Sequence, residues 1–200
     1  MEKTLAIKSE DPTLYIDEKV INEGDCELQF MWGHHPAFGP MFLDESCVIE
    51  VPDGCKARTI DNDLGRYNLL PKNMEFNWPL IKGTDGLEYD LSKVPPSDSR
   101  LFFMFHFHDI SQGWYKVTNT KRKTGFGMRW DKEMFPIIWV WAPYGGAEGY
   151  PWYGRNYNLA IEPWSGIPAN LLKAVENGMG IKIKPGQEIS TRIEAFSYKL

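Results

Sequence analysis

The chain has 200 residues, of which 42% are hydrophobic and 24% are charged, and its formal net charge is −5. This composition is typical of a globular protein with a buried core, and we expect a single domain over residues 1–200. The acidic net charge disfavours nucleic acids and anionic membranes as partners. The apolar runs are all shorter than the ~18 residues of a candidate membrane-spanning helix.

The cellular compartment is predicted from the N-terminus and the cysteines. The first segment, MEKTLAIKSEDP, carries charged residues before any apolar signal sequence could form, which disfavours export. The three cysteines, Cys26, Cys47 and Cys55, are odd in number and lack C-x-x-C spacing, which disfavours a disulfide framework and a zinc site. We therefore predict reduced thiols and a cytoplasmic protein.

The first half of the chain is predicted to contain four strands. Thr4–Lys8 and Leu14–Asn22 alternate apolar with polar residues around a turn, which predicts a β-hairpin. Cys26–Trp32 and Cys47–Val51 are predicted as two further strands. From Asp61 to Ser99 the pattern is lost among proline, glycine and turn residues, which predicts a long irregular excursion.

The second half of the chain alternates strands with turn signals in the same way. Its predicted strands are Arg100–His108, Trp114–Asn119, Gly125–Trp130, Ile137–Ala142, Ile181–Ile183 and Ile189–Tyr198. One segment, Pro168–Asn177, is predicted to be helical, because a proline stands near its start and Gly178 follows its end. About ten short strands with one short helix predict a mainly β fold, an antiparallel β-sandwich.

The stretch Tyr150–Gly166 is the strongest candidate for a functional site. A loop rich in glycine and aromatic residues leads into a short apolar strand, Asn158–Ile161, which ends on Glu162. Because proline cannot donate to a ladder, we expect the strand to stop at Pro163. Aromatic faces beside a polar group such as Arg155 are typical of a sugar-binding site. An ordinary solvent-facing glutamate is the simpler alternative.

All four histidines fall in two short segments, His34-His35 and His106-x-His108. In a strand, His106 and His108 share one face and the neighbouring phenylalanines take the other, which predicts that the phenylalanines belong to the core. Three interpretations remain open. His35, His106 and His108 could bind a metal together with Glu162. The histidines could instead line a sheet face through hydrogen bonds, or take part in acid–base chemistry with a carboxylate.

Four segments resemble the aldose 1-epimerase, or galactose mutarotase-like, proteins. They are MWGHHPAFG (Met31–Gly39), GMRWDKEMFPIIWVW (Gly127–Trp141), YPWYGRNYNLAIEP (Tyr150–Pro163) and IKIKPGQEISTRIEAFSY (Ile181–Tyr198). Their order matches the family over nearly the whole chain. The resemblance implies a galactose mutarotase-like supersandwich and an isomerase of carbohydrate metabolism that needs no metal and no organic cofactor.

The resemblance also implies roles for individual residues. The family's general acid is a histidine in an H-x-x-F segment, which falls on His35. Its general base is a glutamate in an L-E-P-like segment, which falls on Glu162. An aspartate that binds sugar hydroxyls corresponds to Asp109. The other predicted substrate-binding residues are His34, His108, Trp152, Arg155 and Tyr157.

The family's N-terminal strands, with an arginine and another histidine that hold the sugar, have no counterpart before Met1. The resemblance therefore implies an N-terminally truncated sandwich, in which Arg155 or His34 would have to replace the missing side chains. Missing strands would leave a sheet edge open, so we expect a homo-oligomer formed through that edge.

Three functions are compatible with these residues. The first is an aldose 1-epimerase-like isomerase that interconverts sugar anomers by acid–base catalysis on a hexose or related carbohydrate. The second is a non-catalytic carbohydrate-binding protein on the same fold. The third is a metal-binding β-sandwich. A small-molecule carbohydrate is the expected partner in the first two.

Overall fold

The computed structural model describes residues 1–200, and most of its regular structure consists of strands. The strands are β1 Glu2–Ile7, β2 Thr13–Ile21, β3 Leu28–Phe30, β4 Ala37–Phe38, β5 Cys47–Glu50, β6 Lys56–Thr59, β7 Glu75–Asn77, β8 Leu80–Lys82, β9 Glu88–Asp90, β10 Phe103–His108, β11 Trp114–Asn119, β12 Thr124–Trp130, β13 Ile137–Ala142, β14 Leu159–Trp164, β15 Ile181–Ile183 and β16 Glu188–Lys199. The single helix is α1, Leu171–Glu176. The predicted mainly β fold with one short helix is confirmed.

Two six-stranded sheets form the sandwich. The first sheet has the strand order β1-β2-β16-β12-β11-β5, and the second has the order β4-β14-β13-β10-β6-β7. Neighbouring strands in both sheets run antiparallel. The predicted hairpin at the start of the chain is confirmed as β1 and β2, with Leu5 opposite Ile16.

The core lies between the two sheets, because alternate residues of each strand point inward. In β10, the side chains of Phe103, Phe105 and Phe107 are buried, as the alternation predicts. They belong to one cluster of 28 buried residues that also contains Tyr115 and Ile193 of the first sheet. Burying a large apolar side chain contributes about 1.5–3 kcal/mol, so this cluster is the main stabilising feature of the fold.

The face of the second sheet that points away from the core is called here the outer face. Glu162 of β14 pairs with Trp139 of β13, and Trp139 pairs with His106 of β10. His106 pairs in turn with Arg58 of β6. Directly opposite residues in neighbouring strands share a face. The four residues therefore form one row across the outer face, which we call the outer row.

Strand β14 continues through Pro163, so the prediction that this proline ends the strand is wrong. Pro163 pairs with Ile138 of β13, and its carbonyl accepts a 3.0 Å hydrogen bond from the His34 N–H on the other side. The carbonyl and the nitrogen of one strand residue point to the same side, so the missing N–H of Pro163 faces away from β13. The ladder with β13 stays intact, and Glu162 lies inside the strand.

Two further sequence predictions are wrong in detail. The excursion predicted as irregular over Asp61–Ser99 contains the strands β7, β8 and β9, each of three residues. The strand predicted over Cys26–Trp32 is limited to Leu28–Phe30, which pairs with β15. Strands this short offer few alternating positions, so the sequence analysis predicted β5 and β15 but missed β4 and β6.

Helix α1 is confirmed but is shorter than the predicted Pro168–Asn177. The side chain of Asn170 caps its first turn, because Oδ1 accepts a 3.1 Å hydrogen bond from the Lys173 N–H. Gly178 lies just beyond the end with φ +75°, a left-handed conformation that glycine adopts without strain. No helix of the structure combines the length and the apolar composition required to cross a membrane.

The three cysteines are free thiols in the structure. Cys26 is exposed, whereas Cys47 and Cys55 are buried. Burial raises the pKa of the Cys47 thiol, and it raises the pKa of the Cys55 thiol to about 11. The two buried thiols are therefore protonated and unreactive at neutral pH.

Strand β1 leaves the first sheet with an open edge. All six of its residues are exposed, with Leu5 at 62% and Ile7 at 79%. Unpaired backbone groups beside apolar side chains favour pairing with another strand. We expect two copies of the chain to associate through β1, so that light scattering gives a mass above 23.1 kDa that rises with concentration.

Two matched substitutions of exposed leucines test this prediction. Leu5→Lys places a charge on the edge and should shift the mass toward the monomer. Leu87→Lys changes a leucine that is 63% exposed but lies outside β1, and it should leave the mass unchanged. A monomer at every concentration of the parent protein would contradict the prediction.

Candidate functional site

The site is built where the segment before β4 runs beside β14. Strand β4 pairs with the start of β14, and Gly33 forms an isolated bridge with Trp164 at its end. The same register between these two points places His35 directly opposite Glu162. Backbone hydrogen bonds on both sides of His35 hold the two segments together. The sheet topology therefore brings together the two residues that the sequence analysis assigned as acid and base.

His35 and Glu162 form a close pair on the outer face. His35 Nδ1 lies 2.7 Å from Glu162 Oε1, and the indole N–H of Trp164 donates a 2.9 Å hydrogen bond to Glu162 Oε2. The Glu162 side chain is 9% exposed, whereas that of His35 is 55% exposed. Both carboxylate oxygens thus have a partner, which a buried carboxylate requires. The exposed His35 ring remains accessible to a ligand.

Aromatic rings flank this pair. The Trp141 ring centroid lies 5.7 Å from that of His35, and the Trp152 ring lies 5.2 Å from Trp141. Trp152 is 42% exposed, so one of the predicted substrate-binding residues presents a surface close to the pair. Only glycine fits at position Gly33, because a Cβ there would lie 2.2 Å from the Trp164 ring. This close approach keeps the Trp164 N–H aimed at Glu162.

Two other predicted substrate-binding residues of the same loop do not contact the pair. The ring of Tyr157 packs against Tyr144 on the core side, and its hydroxyl donates a 2.7 Å hydrogen bond to the Pro95 carbonyl. Tyr157 lies an even number of positions before the inward-facing residues of β14, so its side chain points toward the same face of the sheet. The side chain of Arg155 is exposed and has no side-chain partner.

His108 and Asp109 lie elsewhere on the second sheet. His108 Nδ1 is 3.3 Å from Asp109 Oδ2, and His108 Nε2 is 3.5 Å from Glu75 Oε2. Strand β13 separates β10 from β14, so neither residue contacts the His35–Glu162 pair. The structure places them with His106 around a cavity of about 370 Å³.

His34 points toward the first sheet rather than toward the outer face. Its Nε2 lies 3.1 Å from Oε2 of Glu18 in β2, and Lys3 Nζ lies 2.8 Å from the other oxygen. Glu18 is 1% exposed, so this contact joins the two sheets inside the sandwich. Burial lowers the pKa of His34, although the charge of Glu18 opposes the shift. The two adjacent histidines therefore have separate environments.

His106 occupies the outer row, although the sequence predicted no substrate-binding role for it. It is 6% exposed, and neither ring nitrogen has a hydrogen-bond partner. Burial, and then the positive charges of His108 and Arg58, lower its pKa to about 4. The ring is therefore neutral near pH 7. The alternation in β10 predicted the side of the sheet to which His106 points. Its burial beneath the turn before α1 could not be predicted.

Neither a family model nor a curated protein matches the sequence. The structure superposes on a candidate aldose 1-epimerase from Klebsiella pneumoniae with a TM-score of 0.69 and 13% identity, and on another from Escherichia coli K12 with 0.63 and 15%. The Slr1438 protein from Synechocystis sp. PCC 6803 gives 0.63 and 18%. Further similar structures are described as galactose mutarotase-like proteins.

The chain has the galactose mutarotase-like fold. Nearly all of it takes part in these superpositions, from 98% to 100% of its length. It spans 45% of the Klebsiella chain, 54% of the Synechocystis chain and 69% of the E. coli chain. The chain is thus about half as long as the first two of these proteins, and at such identities the likeness concerns the fold alone.

On this galactose mutarotase-like fold, the side chains considered as metal ligands are not assembled. No group of three or more His, Cys, Asp or Glu side chains is arranged to hold a metal ion. A metal ion bound by these residues would need His35 and Glu162 beside His106 and His108. In the outer row, however, Trp139 separates Glu162 from His106.

Proposed function

We propose that this protein is an aldose 1-epimerase-like isomerase that interconverts the anomers of a hexose or a related carbohydrate. The observation that carries the proposal is the 2.7 Å contact between His35 Nδ1 and Glu162 Oε1. An imidazole beside a carboxylate can move protons near neutral pH. The anomeric hydroxyl and the ring oxygen of a sugar are bonded to the same carbon, so an acid and a base this close can reach both.

Ring opening requires two proton transfers. Glu162, as a carboxylate, takes the proton of the C1 hydroxyl while the C1–O5 bond breaks and C1 becomes an aldehyde. His35, as an imidazolium, gives a proton to O5. After rotation about the C1–C2 bond, the O5 hydroxyl attacks the other face of the aldehyde and returns its proton to His35, while Glu162 returns its proton to O1. The steps balance without any co-reactant.

The surroundings of the pair support this chemistry. The burial of Glu162 strengthens its electrostatic interaction with an imidazolium, and the Trp164 hydrogen bond fixes the carboxylate plane. Trp141 and Trp152 present faces on which the C–H groups of a sugar ring can pack. Two proteins of similar fold are described as aldose 1-epimerase candidates, which adds support from outside the site.

One observation favours the second function, a carbohydrate-binding protein without turnover. Both oxygens of Glu162 already accept hydrogen bonds, from His35 and from Trp164. A carboxylate oxygen that already accepts a hydrogen bond has less capacity left to accept the proton of the C1 hydroxyl. In that case the same surface would hold a sugar without opening its ring.

Polarimetry of freshly dissolved α-D-glucose and α-D-galactose tests the proposal. We expect the protein to accelerate the relaxation of optical rotation in proportion to its concentration, whereas heat-unfolded protein should leave the rate unchanged. An unchanged rate with all aldohexoses and aldopentoses would overturn the proposal. Sugar binding in those same samples would favour the carbohydrate-binding alternative.

A further inference from the structure

A carboxylate is buried between the two sheets, in contact with the residue that precedes His35. Glu18 of β2 is almost fully buried, and its Oε2 lies 3.1 Å from His34 Nε2. Its Oε1 lies 2.8 Å from Nζ of Lys3, which is directly opposite in β1. Neither oxygen is aligned for a hydrogen bond, so both contacts depend on the charge of the carboxylate. We call Lys3, Glu18 and His34 the Glu18 cluster.

Stability alone does not explain the Glu18 cluster. Removing a carboxylate from water is costly, and nearby charges offset the cost only with good geometry and additional hydrogen bonds. Apolar residues of similar size in place of buried charged groups are often neutral or stabilising. The inward-facing neighbours of Glu18 in β2, Ile16 and Val20, pack against the core, so a leucine at position 18 would suit this face. The buried carboxylate therefore calls for another explanation.

The Glu18 cluster is attached to the segment that carries His35. Backbone hydrogen bonds on both sides of His35 hold this segment beside β14. Along it, His34 points toward Glu18 of the first sheet and His35 points toward Glu162 on the outer face. One peptide unit joins the two histidines. A rotation of the segment that takes the His34 ring away from Glu18 would therefore also take the His35 ring away from Glu162.

The two histidine rings differ in how firmly their own surroundings hold them. The His34 ring is mostly buried, and it packs edge-on against the buried ring of Phe135, with 5.3 Å between the centroids and 89° between the planes. The His35 ring is more than half exposed and has only Glu162 and Trp141 beside it. The orientation of His35 therefore depends on the backbone that His34 anchors.

We propose that Glu18 and His34 are positioning residues, which hold the His35 ring in contact with Glu162. This contact keeps the imidazole proton on Nδ1 and leaves Nε2 free to exchange a proton with a ligand. Rotation of the ring away from Glu162 would remove both features. The consequence for turnover rests on the proposed function, whereas the orientation of the ring does not.

NMR of the ring nitrogens tests the orientation without any sugar. Above the ordinary histidine pKa of about 6.5, ¹⁵N–¹H correlation spectra distinguish the Nδ1–H form of each ring from the Nε2–H form. We expect His35 of the parent to be in the Nδ1–H form. His34→Leu and Glu18→Leu should each give a mixture of the two forms. His34→Gln, whose side-chain N–H can take the place of Nε2, should restore the Nδ1–H form.

A neighbouring ion pair provides the matched control. Asp17 precedes Glu18 in β2, but it points to the other side of the first sheet, where it lies 2.6 Å from Arg192. Asp17→Leu should leave His35 in the Nδ1–H form. A parent that already shows the mixture would overturn the proposal. So would an unchanged Nδ1–H form in both His34→Leu and Glu18→Leu.

The double variant Glu18→Leu/His34→Leu separates positioning from a purely structural role. It replaces the charged contact by an apolar one, so its urea unfolding midpoint should be no lower than that of the parent. His35 should nevertheless be in the mixed form, to the same extent as in either single variant. A loss of the Nδ1–H form only in variants that also lose stability would show a structural role and overturn the proposal.

Polarimetry on the same variants measures the consequence for turnover. Initial mutarotation rates at several sugar concentrations separate kcat from KM. We expect His34→Leu and Glu18→Leu to lower kcat by about 10–10²-fold, the effect of a small displacement of a reacting group, and His34→Gln to recover most of it. KM should change little, because neither side chain reaches the outer face. A raised KM with an unchanged kcat would contradict positioning.

The two measurements separate this proposal from the proposed function. A form of His35 that depends on His34 and Glu18, in a protein that does not accelerate mutarotation, supports positioning and removes the catalytic proposal. Accelerated mutarotation that survives His34→Leu, with His35 still in the Nδ1–H form, supports the catalytic proposal and overturns positioning.

Discussion

Replacing Glu162 with Gln is expected to reduce the mutarotation rate by about 10²–10⁴-fold, the range that one positioned proton-transfer group contributes. The amide keeps the size of the side chain and can still accept the Trp164 hydrogen bond, but it cannot take a proton from the C1 hydroxyl. Sugar affinity should change by only a few fold, because the amide still forms hydrogen bonds. Polarimetry and calorimetry on the same preparation measure the two quantities.

The second part of this experiment is the double variant. His35→Asn should cause a loss similar to that of Glu162→Gln, and the two together should cost little more than either alone, because groups that act as a unit are not additive. Glu176→Gln, at the end of α1, is the matched control and should retain the full rate. Losses in the two single variants that multiply in the double variant would show that His35 and Glu162 act independently. Losses confined to sugar affinity would favour the carbohydrate-binding alternative.

Acidification from pH 6.5 to pH 4 is expected to remove about 3 kcal/mol of unfolding free energy through His106 alone, because one pKa unit corresponds to about 1.36 kcal/mol. Its pKa is lowered from 6.5 to about 4 in the folded protein. Within this window the unfolded chain binds a proton that the folded protein does not bind. The free energy of unfolding therefore falls as the pH falls, and the contribution levels off below the folded pKa. The lowered pKa of His34 acts in the same direction.

Urea unfolding at several pH values between 7 and 4 checks this prediction. Carboxylates also titrate near pH 4, so the informative quantity is the difference between the parent and His106→Phe. The variant should lose distinctly less stability across the window than the parent does. Glu176→Gln, at the exposed end of α1, leaves every histidine and the His35–Glu162 pair in place and serves as the matched control. Parallel curves for the parent and His106→Phe would contradict the lowered pKa of His106.

The features that could be predicted from the sequence depend on local patterns. Phe103, Phe105 and Phe107 alternate with histidines, and this alternation alone placed them in the core. The turn before Leu14 predicted the first hairpin, and Gly178 predicted the end of the helix. In each case the signal lies within a few residues of the feature that it predicts.

The features that could not be predicted depend on contacts between distant segments. Nothing near His34 indicates that its partner is Glu18 in another strand, because such a pairing is set by the packing of the two sheets. The row that joins His106 to Glu162 likewise depends on the register of three strands. A single sequence does not specify strand register, since a shift by one residue would preserve the strand and exchange its faces.

The alternation along β14 also restricts how the chain can vary in length. Leu159 and Ile161 point into the core, whereas Ala160, Glu162 and Trp164 point outward. One residue inserted between Leu159 and Glu162 would direct the carboxylate into the apolar core and an isoleucine toward His35. Insertions of any length in the loop that precedes β14 would preserve both faces. Related chains that keep the His35–Glu162 pair should therefore differ in the length of that loop and conserve the spacing within the strand.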